Sequence, residues 1–327
     1  MSVQPLVSVI IPVFNAGPYL REAIQSVLCQ DYTNIEIIII DDGSTDGSVE
    51  SVKDLTADSR VVVVRQENAG KPAVMNRAIA MARGEFYAVT DADDVSSPNR
   101  IGHQVRYLLA NLDVAGVFCG YELIINERRV APVLKSKSRE QCSADIAAFR
   151  MPGHDPTAMY RMSMVRDCGY SPDLIIVEGL DYILRVGERW PLSVLGETLY
   201  SYRIHFASLT RSDPARRDEL LRKALKRACD RRGVDFEKRF PPRQARGWRN
   251  SDRDNNIAVT FIESVCGQRA VGRLLAPLRT GIQCAALHPL DPAYYKALAY
   301  ALMPWSMTRR VRDAAAARHD RLSAGRD

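Results

Sequence analysis

The sequence has no run of eighteen apolar residues, so no segment is expected to span a membrane. From Met1 to Pro5 there is no charged stretch leading into an apolar one with a small-residue cleavage site, and a secretory signal is not expected. Seven cysteines, at 29, 119, 142, 168, 229, 266 and 284, form no C-x-x-C pair, and their number is odd. That argues against a disulfide framework or a zinc site, and it fits a reduced, cytoplasmic setting in which the thiols act as small core residues. No G-x-G-x-x-G follows the first apolar run, and no G-x-x-x-x-G-K-[ST] occurs anywhere, so dinucleotide and P-loop classes are disfavoured. Phe14 to Leu20 holds one glycine and no Lys or Arg, which speaks against a nucleotidyltransferase with a basic Gly-rich loop.

What is present suits a globular enzyme. The 327 residues are 46% hydrophobic, enough for a substantial core. The net charge of +6 is uneven: residues 1–210 carry 20 Lys and Arg against 26 Asp and Glu, and residues 211–327 carry 25 against 13. This change of texture, together with Arg-rich helical patterns broken by proline beyond Thr210, predicts a first domain over 1–210 and a basic, mainly helical region over 211–327. The basic region either presents a solvated helical face or meets an anionic membrane surface; nucleic acid is not an expected partner.

The first hundred residues alternate strand and helix. Val7–Val13 (VSVIIPV) and Ile35–Ile40 are short, β-branched apolar runs stopped by Asn15-Ala16-Gly17-Pro18 and Asp41-Asp42-Gly43-Ser44, and they read as buried strands. Between them Leu20, Ile24, Val27 and Leu28 share one helical face. A helix over Asp46–Leu55, a strand over Arg60–Arg65, a helix over Lys71–Arg83, a strand over Phe86–Thr90 and a helix over Pro98–Leu109 follow. Two strands are expected within Val114–Val133, then an exposed linker over Lys135–Gln141, and beyond Thr210 a basic helix over Leu220–Arg232. Such alternation means a mostly parallel, Rossmann-like wound sheet with helices on both faces, whose ligands bind beyond the carboxyl ends of the strands.

The polar clusters fall at those ends. Asp91-Ala92-Asp93-Asp94 follows an apolar strand, and two carboxylates one residue apart in a turn suit a hard cation such as Mg²⁺ or Mn²⁺ that also binds phosphate. Asp42, and with it Asp41, is placed to accept hydrogen bonds from a base or a ribose, while Gly43 to Asp46 serve the turn and the next helix start. With no Gly-rich cradle, a diphosphate would need a cation to neutralise it, and Asp91 with Asp93 offers the place.

VSVIIPVFNAGPYLREAIQSVLCQ, then IEIIIIDDGSTDGS, then ENAGKPAVMNRAIAMARGEFYAVTDADDV, resembles the bacterial-type family 2 glycosyltransferases of the GT-A fold over residues 6–110. The likeness continues more loosely through PTAMYRMSMVRDCGY and ETLYSYRIHFASLT. The resemblance implies a donor half over 1–110 and an acceptor half over 111–210, with Pro12, Val13 and Asn15 lining base and ribose and Asp42 on the base. It implies Gly70 and Lys71 beside the nucleotide, Asp91 and Asp93 flanking Ala92 at the ribose and metal, and His205 near the donor phosphates. It implies a metal-dependent hexosyltransferase that moves a sugar from a nucleotide-sugar, by family default a UDP-sugar, to an acceptor hydroxyl with inversion. The acceptor is then a glycan or lipid-linked molecule in polysaccharide biosynthesis, handled in the cytoplasm or against the inner membrane face.

One position departs from the family. Val177-Glu178-Gly179-Leu180-Asp181 has glycine where the usual catalytic-base Asp stands. Asp181 or Glu178 then serves as base, or the base comes from elsewhere, such as Asp155, or the chain is a sugar-nucleotide-binding or scaffold protein that has lost catalysis.

Overall fold

The computed structural model describes residues 4–125, 127–133, 136–204, 214–241, 251–270, 272–273, 275–287 and 289–311. Its elements run β1 Val7–Val13, α1 Tyr19–Leu28, β2 Ile35–Asp41, α2 Lys53–Thr56, β3 Val61–Arg65, α3 Lys71–Met81, β4 Phe86–Val89, β5 Val95–Ser96 and α4 Arg100–Ala110. Then come β6 Gly116–Ile125, β7 Arg128–Val133, α5 Arg139–Ala147, β8 Met159–Arg161, α6 Met162–Val165, α7 Glu178–Gly187 and β9 Leu192–Arg203. The helices α8 Pro214–Arg232, α9 Phe236–Arg239, α10 Ser251–Ala270, α11 Leu275–Leu287 and α12 Tyr295–Leu302 complete the order. The chain forms two compact units: residues 1–127 with 135–228, and residues 128–134 with 229–327.

In the first unit the strands make one mixed sheet in the order β3-β2-β1-β4-β8-β6-β9-β5. β3, β2, β1 and β4 are mutually parallel. β8 is antiparallel to β4 and β6, β6 and β9 are parallel, and β5 is antiparallel to β9. β1 and β2 are apolar on both faces because both faces are covered. Leu20, Ile24 and Val27 of α1 and Ile101, Val105 and Leu108 of α4 pack with Val7, Val9, Ile11, Ile37 and Ile39. Ile10, Ile38 and Ile40 point the other way and are equally buried, and α3, which packs on β1 and β2, buries Val74, Met75, Ala78 and Ile79.

Two expectations are corrected. The linker expected over Lys135–Gln141, of which 136–141 are described, gives way to a helix start: Ser138 caps α5, with its Oγ accepting from Gln141 N and the Gln141 side chain accepting from Ser138 N. This is the reciprocal S-x-x-Q box that starts helices. Lys137 pairs with Val194 at the sheet, and its Nζ reaches Asp145 at 2.6 Å. The helix over Asp46–Leu55 is shorter than its pattern, because Asp46 Oδ1 accepts from Ser48 N and Ser48 Oγ and holds a turn instead; only Glu50–Thr56 coils, first as a 3-10 turn.

In the second unit α10, α11 and α12 pack together around Phe261, Val265, Cys284 and Ala297. Gln268 Nε2 donates to Thr280 Oγ1 at 3.0 Å. A Cβ at Gly281 would lie 2.7 Å from Leu298 Cα, so glycine is what allows α11 and α12 to approach so closely. None of the described helices is long and apolar enough to cross a membrane.

The first unit is tied by Arg100, which is fully buried and has no carboxylate partner in its hydrogen bonds. Its guanidinium donates to Thr90 and Ser96 hydroxyls, to Gln104 Oε1, and to the carbonyls of Val89, Pro156 and Ala158, and it lies 4.7 Å over the Tyr200 ring. It therefore joins the end of β4 to the segment that precedes β8. Arg100→Met keeps the stem and strands those acceptors, and each buried acceptor left alone costs about 1–3 kcal/mol. The variant is expected to lose on the order of 3 kcal/mol of stability, read as a fall in the urea midpoint at unchanged m-value. A loss under about 1 kcal/mol would remove Arg100 from its central place.

Candidate active site

The first wall of the site is the end of β1 and β2. Pro12 and Val13 lie opposite Ile40 and Asp41, and Asp42 N donates to Val13 O at 2.8 Å, so the two strand ends are stitched together. Asn15 takes a left-handed φ of 50°. Its backbone N donates to Ser44 Oγ and its Oδ1 accepts from Thr45 N. Asp42 is buried, and its Oδ1 accepts from Gln66 Nε2 at 2.7 Å and Ala69 N at 2.9 Å, while Oδ2 accepts from Gly70 N at 2.8 Å. The carboxylate thus moulds the 66–70 loop that delivers Lys71. Gly70 sits at φ 83°, where a side chain would be strained and would crowd Ile175.

The second wall is the Asp91–Asp94 turn. Asp91 N donates to Tyr200 Oη at 3.0 Å, and Asp94 N closes the turn on Asp91 O. Arg203, 3% exposed, holds the far side: its N donates to Asp94 Oδ1 at 2.8 Å and its Nε to Asp93 O at 2.9 Å. The guanidinium pairs with Glu22 and Glu127 and lies over the Tyr19 ring. Ala92 and Asp94 are buried, while Asp91 and Asp93 stay half-exposed. Burial pushes the Asp94 carboxyl well up, and repulsion from Asp93 and Asp91 adds to it.

The two walls meet at Lys71. Its Nζ lies 2.7 Å from Asp91 Oδ1 and 3.6 Å from Glu178 Oε1. Burial alone would lower the ammonium's pKa, but the field of Asp91, Glu178 and Asp155 raises it well above the ordinary lysine value, so it is charged. Glu178 opens α7, and Asp155 opens the 3-10 turn Asp155–Thr157. Burial raises Glu178 to about 7 against the pull of Lys71, and raises Asp155 to about 6 in the same way. One oxygen of each, Glu178 Oε2 and Asp155 Oδ1, is buried without a hydrogen-bond partner. His154 packs between the Tyr121 and Tyr202 rings, and burial lowers it to about 4, so it is neutral.

The structure therefore gathers Lys71, Asp91 and Glu178 directly, and joins Asp42 to Gly70 and, along the chain, Asn15 to Val13. Asp181 is placed otherwise: its Oδ2 accepts from Ser171 Oγ at 2.7 Å and from Arg185 Nε at 2.9 Å. Arg185 in turn donates to the carbonyls of Cys168 and Gly169. That network fixes the approach to α7. His205 lies outside the described residues. Arg203, Tyr200 and Asp94, which hold the acidic turn, went unread as site residues. A buried arginine clamp has no sequence period of its own, although Arg203 stands two residues before His205.

Among the described residues no three His, Cys, Asp or Glu side chains form a group able to hold a metal unaided. Mg²⁺ or Mn²⁺ at a phosphate site needs only one or two protein carboxylates, the rest being water and phosphate oxygen. Asp91 and Asp93 are the partly exposed carboxylates that could hold one. Chemically, the arrangement offers these two carboxylates beside a fixed ammonium, and two carboxyls whose protons exchange near neutrality.

Comparison with known proteins bears on the fold and the family. The Glycosyl transferase family 2 model matches residues 8–168. An uncharacterized glycosyltransferase of Rickettsia typhi is 45% identical over 123 residues, covering 37% of this chain and 38% of that protein's length. Staphylococcus aureus TarS 1–349, solved with UDP-GlcNAc, superposes with a TM-score of 0.60 at 16% identity, over 94% of this chain and 92% of that one. The mannosyltransferase PcManGT of Pyrobaculum calidifontis, solved with GDP-Man and Mn²⁺, gives 0.55 at 18% identity, over 92% and 86%. At such identities the two structures speak for the fold, which is GT-A. Over residues 8–168 the chain matches the Glycosyl transferase family 2 model, and the relatives it resembles are named glycosyltransferases.

Proposed function

We propose that the protein transfers a sugar from a nucleotide-sugar donor to an acceptor hydroxyl, with inversion at the anomeric carbon. The observation that carries this reading is the meeting of three chain segments at Lys71, where Asp91, Glu178 and Asp155 crowd one ammonium beyond the carboxyl ends of parallel strands. The edge formed by Pro12, Val13, Asn15 and the Asp42-ordered loop takes the nucleoside. Asp42 acts there chiefly through Gly70, by setting the backbone against which a base and ribose would lie. Lys71 orients Asp91 and Glu178 and offsets their charge. Asp93 with Asp91 would hold a divalent cation, Mn²⁺ or Mg²⁺, which supplies neutralisation of the departing diphosphate. The relatives' names support transfer chemistry, and the UDP-GlcNAc and GDP-Man complexes of TarS and PcManGT support a nucleotide-sugar donor. The donor is read as a UDP-sugar and the acceptor as a glycan or lipid-linked molecule of polysaccharide synthesis.

Gly179 motivates a second reading, a sugar-nucleotide-binding protein without turnover. Calorimetric binding of UDP with Mn²⁺, coupled to donor turnover, separates the two. Binding with no turnover across donors and acceptors favours the second.

The basic region 211–327 and the exposed Leu275, Leu290 and Leu302 support peripheral contact with an anionic membrane. The chain is expected to float with phosphatidylglycerol vesicles and not with phosphatidylcholine alone, and to be released by high salt. Equal flotation with both lipids would remove the electrostatic reading.

Two substitutions test the donor site. Asp93→Ala is expected to abolish the Mn²⁺-dependent part of UDP binding seen by calorimetry, leaving any metal-free part in place; unchanged Mn²⁺ dependence would take Asp93 out of the metal site. Asp42→Ala removes the acceptor for three donors of the 66–70 loop. UDP affinity should fall by at least about tenfold, equal to about 1.4 kcal/mol, with a lower melting temperature. A variant that melts lower yet binds UDP as before would show that Asp42 serves stability alone.

A further inference from the structure

The place of the missing base is occupied. A Cβ built on Gly179 would lie 2.6 Å from Asp155 Cγ, 2.7 Å from Asp155 Oδ2 and 2.9 Å from Asp155 Cβ, closer than real Cβ atoms approach anything. The contact is with the whole carboxyl end of a buried side chain, in a segment with little freedom to move. Asp155 heads a 3-10 turn closed by Thr157 N and Thr157 Oγ1 donating to His154 O, and by Ala158 N donating to Asp155 O. Pro156 stiffens the turn, and Arg100 grips its Pro156 and Ala158 carbonyls. The backbone that bears Asp155 is therefore fixed, and its carboxyl lies in the volume that any side chain at 179 would need.

Asp181 accepts from Ser171 and Arg185. Glu178 turns Oε1 toward Lys71 and leaves Oε2 buried without a hydrogen-bond partner, but the carboxyl in the volume that a side chain at 179 would need is that of Asp155. Asp155 Oδ1 has no hydrogen-bond partner, although the residue is only 8% exposed. The fold does not satisfy that oxygen, and an arriving hydroxyl group would.

We propose, building on the transferase reading, that Asp155 is the general base, its carboxylate delivered from a different segment into the slot left empty by Gly179. The acceptor oxygen forms the bond to C1 of the donor sugar. The bond from C1 to the diphosphate oxygen breaks, and its electron pair leaves with the nucleoside diphosphate. The acceptor proton passes to the Asp155 carboxylate and from there to solvent. Gly179 and Asp155 are then one feature: the glycine is what makes room for the aspartate.

The test uses the full chain with Mn²⁺, taking UDP-GlcNAc and GDP-mannose as donors with water as acceptor and reading released nucleoside diphosphate. Asp155→Asn keeps the shape and should lower kcat by roughly 10²–10⁴-fold, with calorimetric UDP affinity within about twofold of the parent. The double variant Asp155→Ala with Gly179→Asp returns a carboxylate to the same space from the other segment, and should recover at least about tenfold over Asp155→Ala alone. Should Asp155→Asn misfold, Asp155→Ser carries the same comparison. Gly179→Ala supplies a readout independent of turnover: it should lower the melting temperature of the parent and leave that of Asp155→Gly nearly unchanged. A parent that turns over while Asp155→Asn keeps its kcat would overturn the base assignment and leave the transferase reading standing. A parent that binds UDP and releases nothing from either donor would overturn both, and a neutral Gly179→Ala in the parent would overturn the shared volume.

Discussion

One partly buried ammonium holds the site together. Lys71 is the cation that Asp91, Glu178 and Asp155 face in common. Without it, three carboxyls in a largely dry space would shed their charge by protonation or force the segments that bear them apart. With it, the balance is left near the edge: Asp155 sits at about 6 and Glu178 at about 7, so neither is locked into one protonation state at neutral pH. Local charge is thus conserved on binding if an incoming diphosphate brings its own cation, because the protein supplies too little positive charge for both its carboxylates and the ligand.

The position of that ammonium is inherited from elsewhere. Asp42 orders the loop before α3 through two backbone amides and one side-chain amide, and Gly70 supplies the backbone turn by which Lys71 enters the helix at the strand ends. Asp91 is held by Tyr200, and Asp93 and Asp94 are held by Arg203. Arg100 fixes the end of β4 against the turn that carries Asp155. Two arginines thus work as buried brackets, their planar forks bridging carbonyls and carboxylates that no single helix or strand could bring into line.

Much of this architecture is legible in the residue pattern. β1, β2 and β4 announce themselves as short apolar runs, and α1, α3 and α4 as faces of 3.6-residue spacing, because parallel strands covered on both sides and helices covered on one leave different periods. The carboxylates at strand ends are visible for the same reason: polarity begins abruptly where the sheet stops. What escaped was of another kind. The start of α5 falls within the polar stretch expected to be a linker, although the Ser138–Gln141 capping box is present there and its meaning is local. The roles of Arg203 and Tyr200 are not legible along the chain, because a clamp acts across more than a hundred residues, 109 between Tyr200 and Asp91, and leaves no spacing to detect.

Gly179 marks the limit of sequence reasoning most sharply. Read along the chain it is a base replaced by a hydrogen, which leaves Asp181, Glu178, a carboxylate from elsewhere or lost catalysis as the readings. In three dimensions it is half of a pair. Glycine in a helix gives up more conformational entropy than alanine would, about 1 kcal/mol in an interior, and Gly179 is the second residue of α7. A second cost lies at Asp155, where a buried carboxylate oxygen has no partner. Either cost alone would be an oddity to be removed by drift toward stability; together they are coupled, because a side chain at 179 would displace the aspartate and a smaller residue at 155 would release the glycine. Two destabilising choices that require each other thus stand together beside the ammonium of Lys71, and the cost of each is visible only in the light of the other.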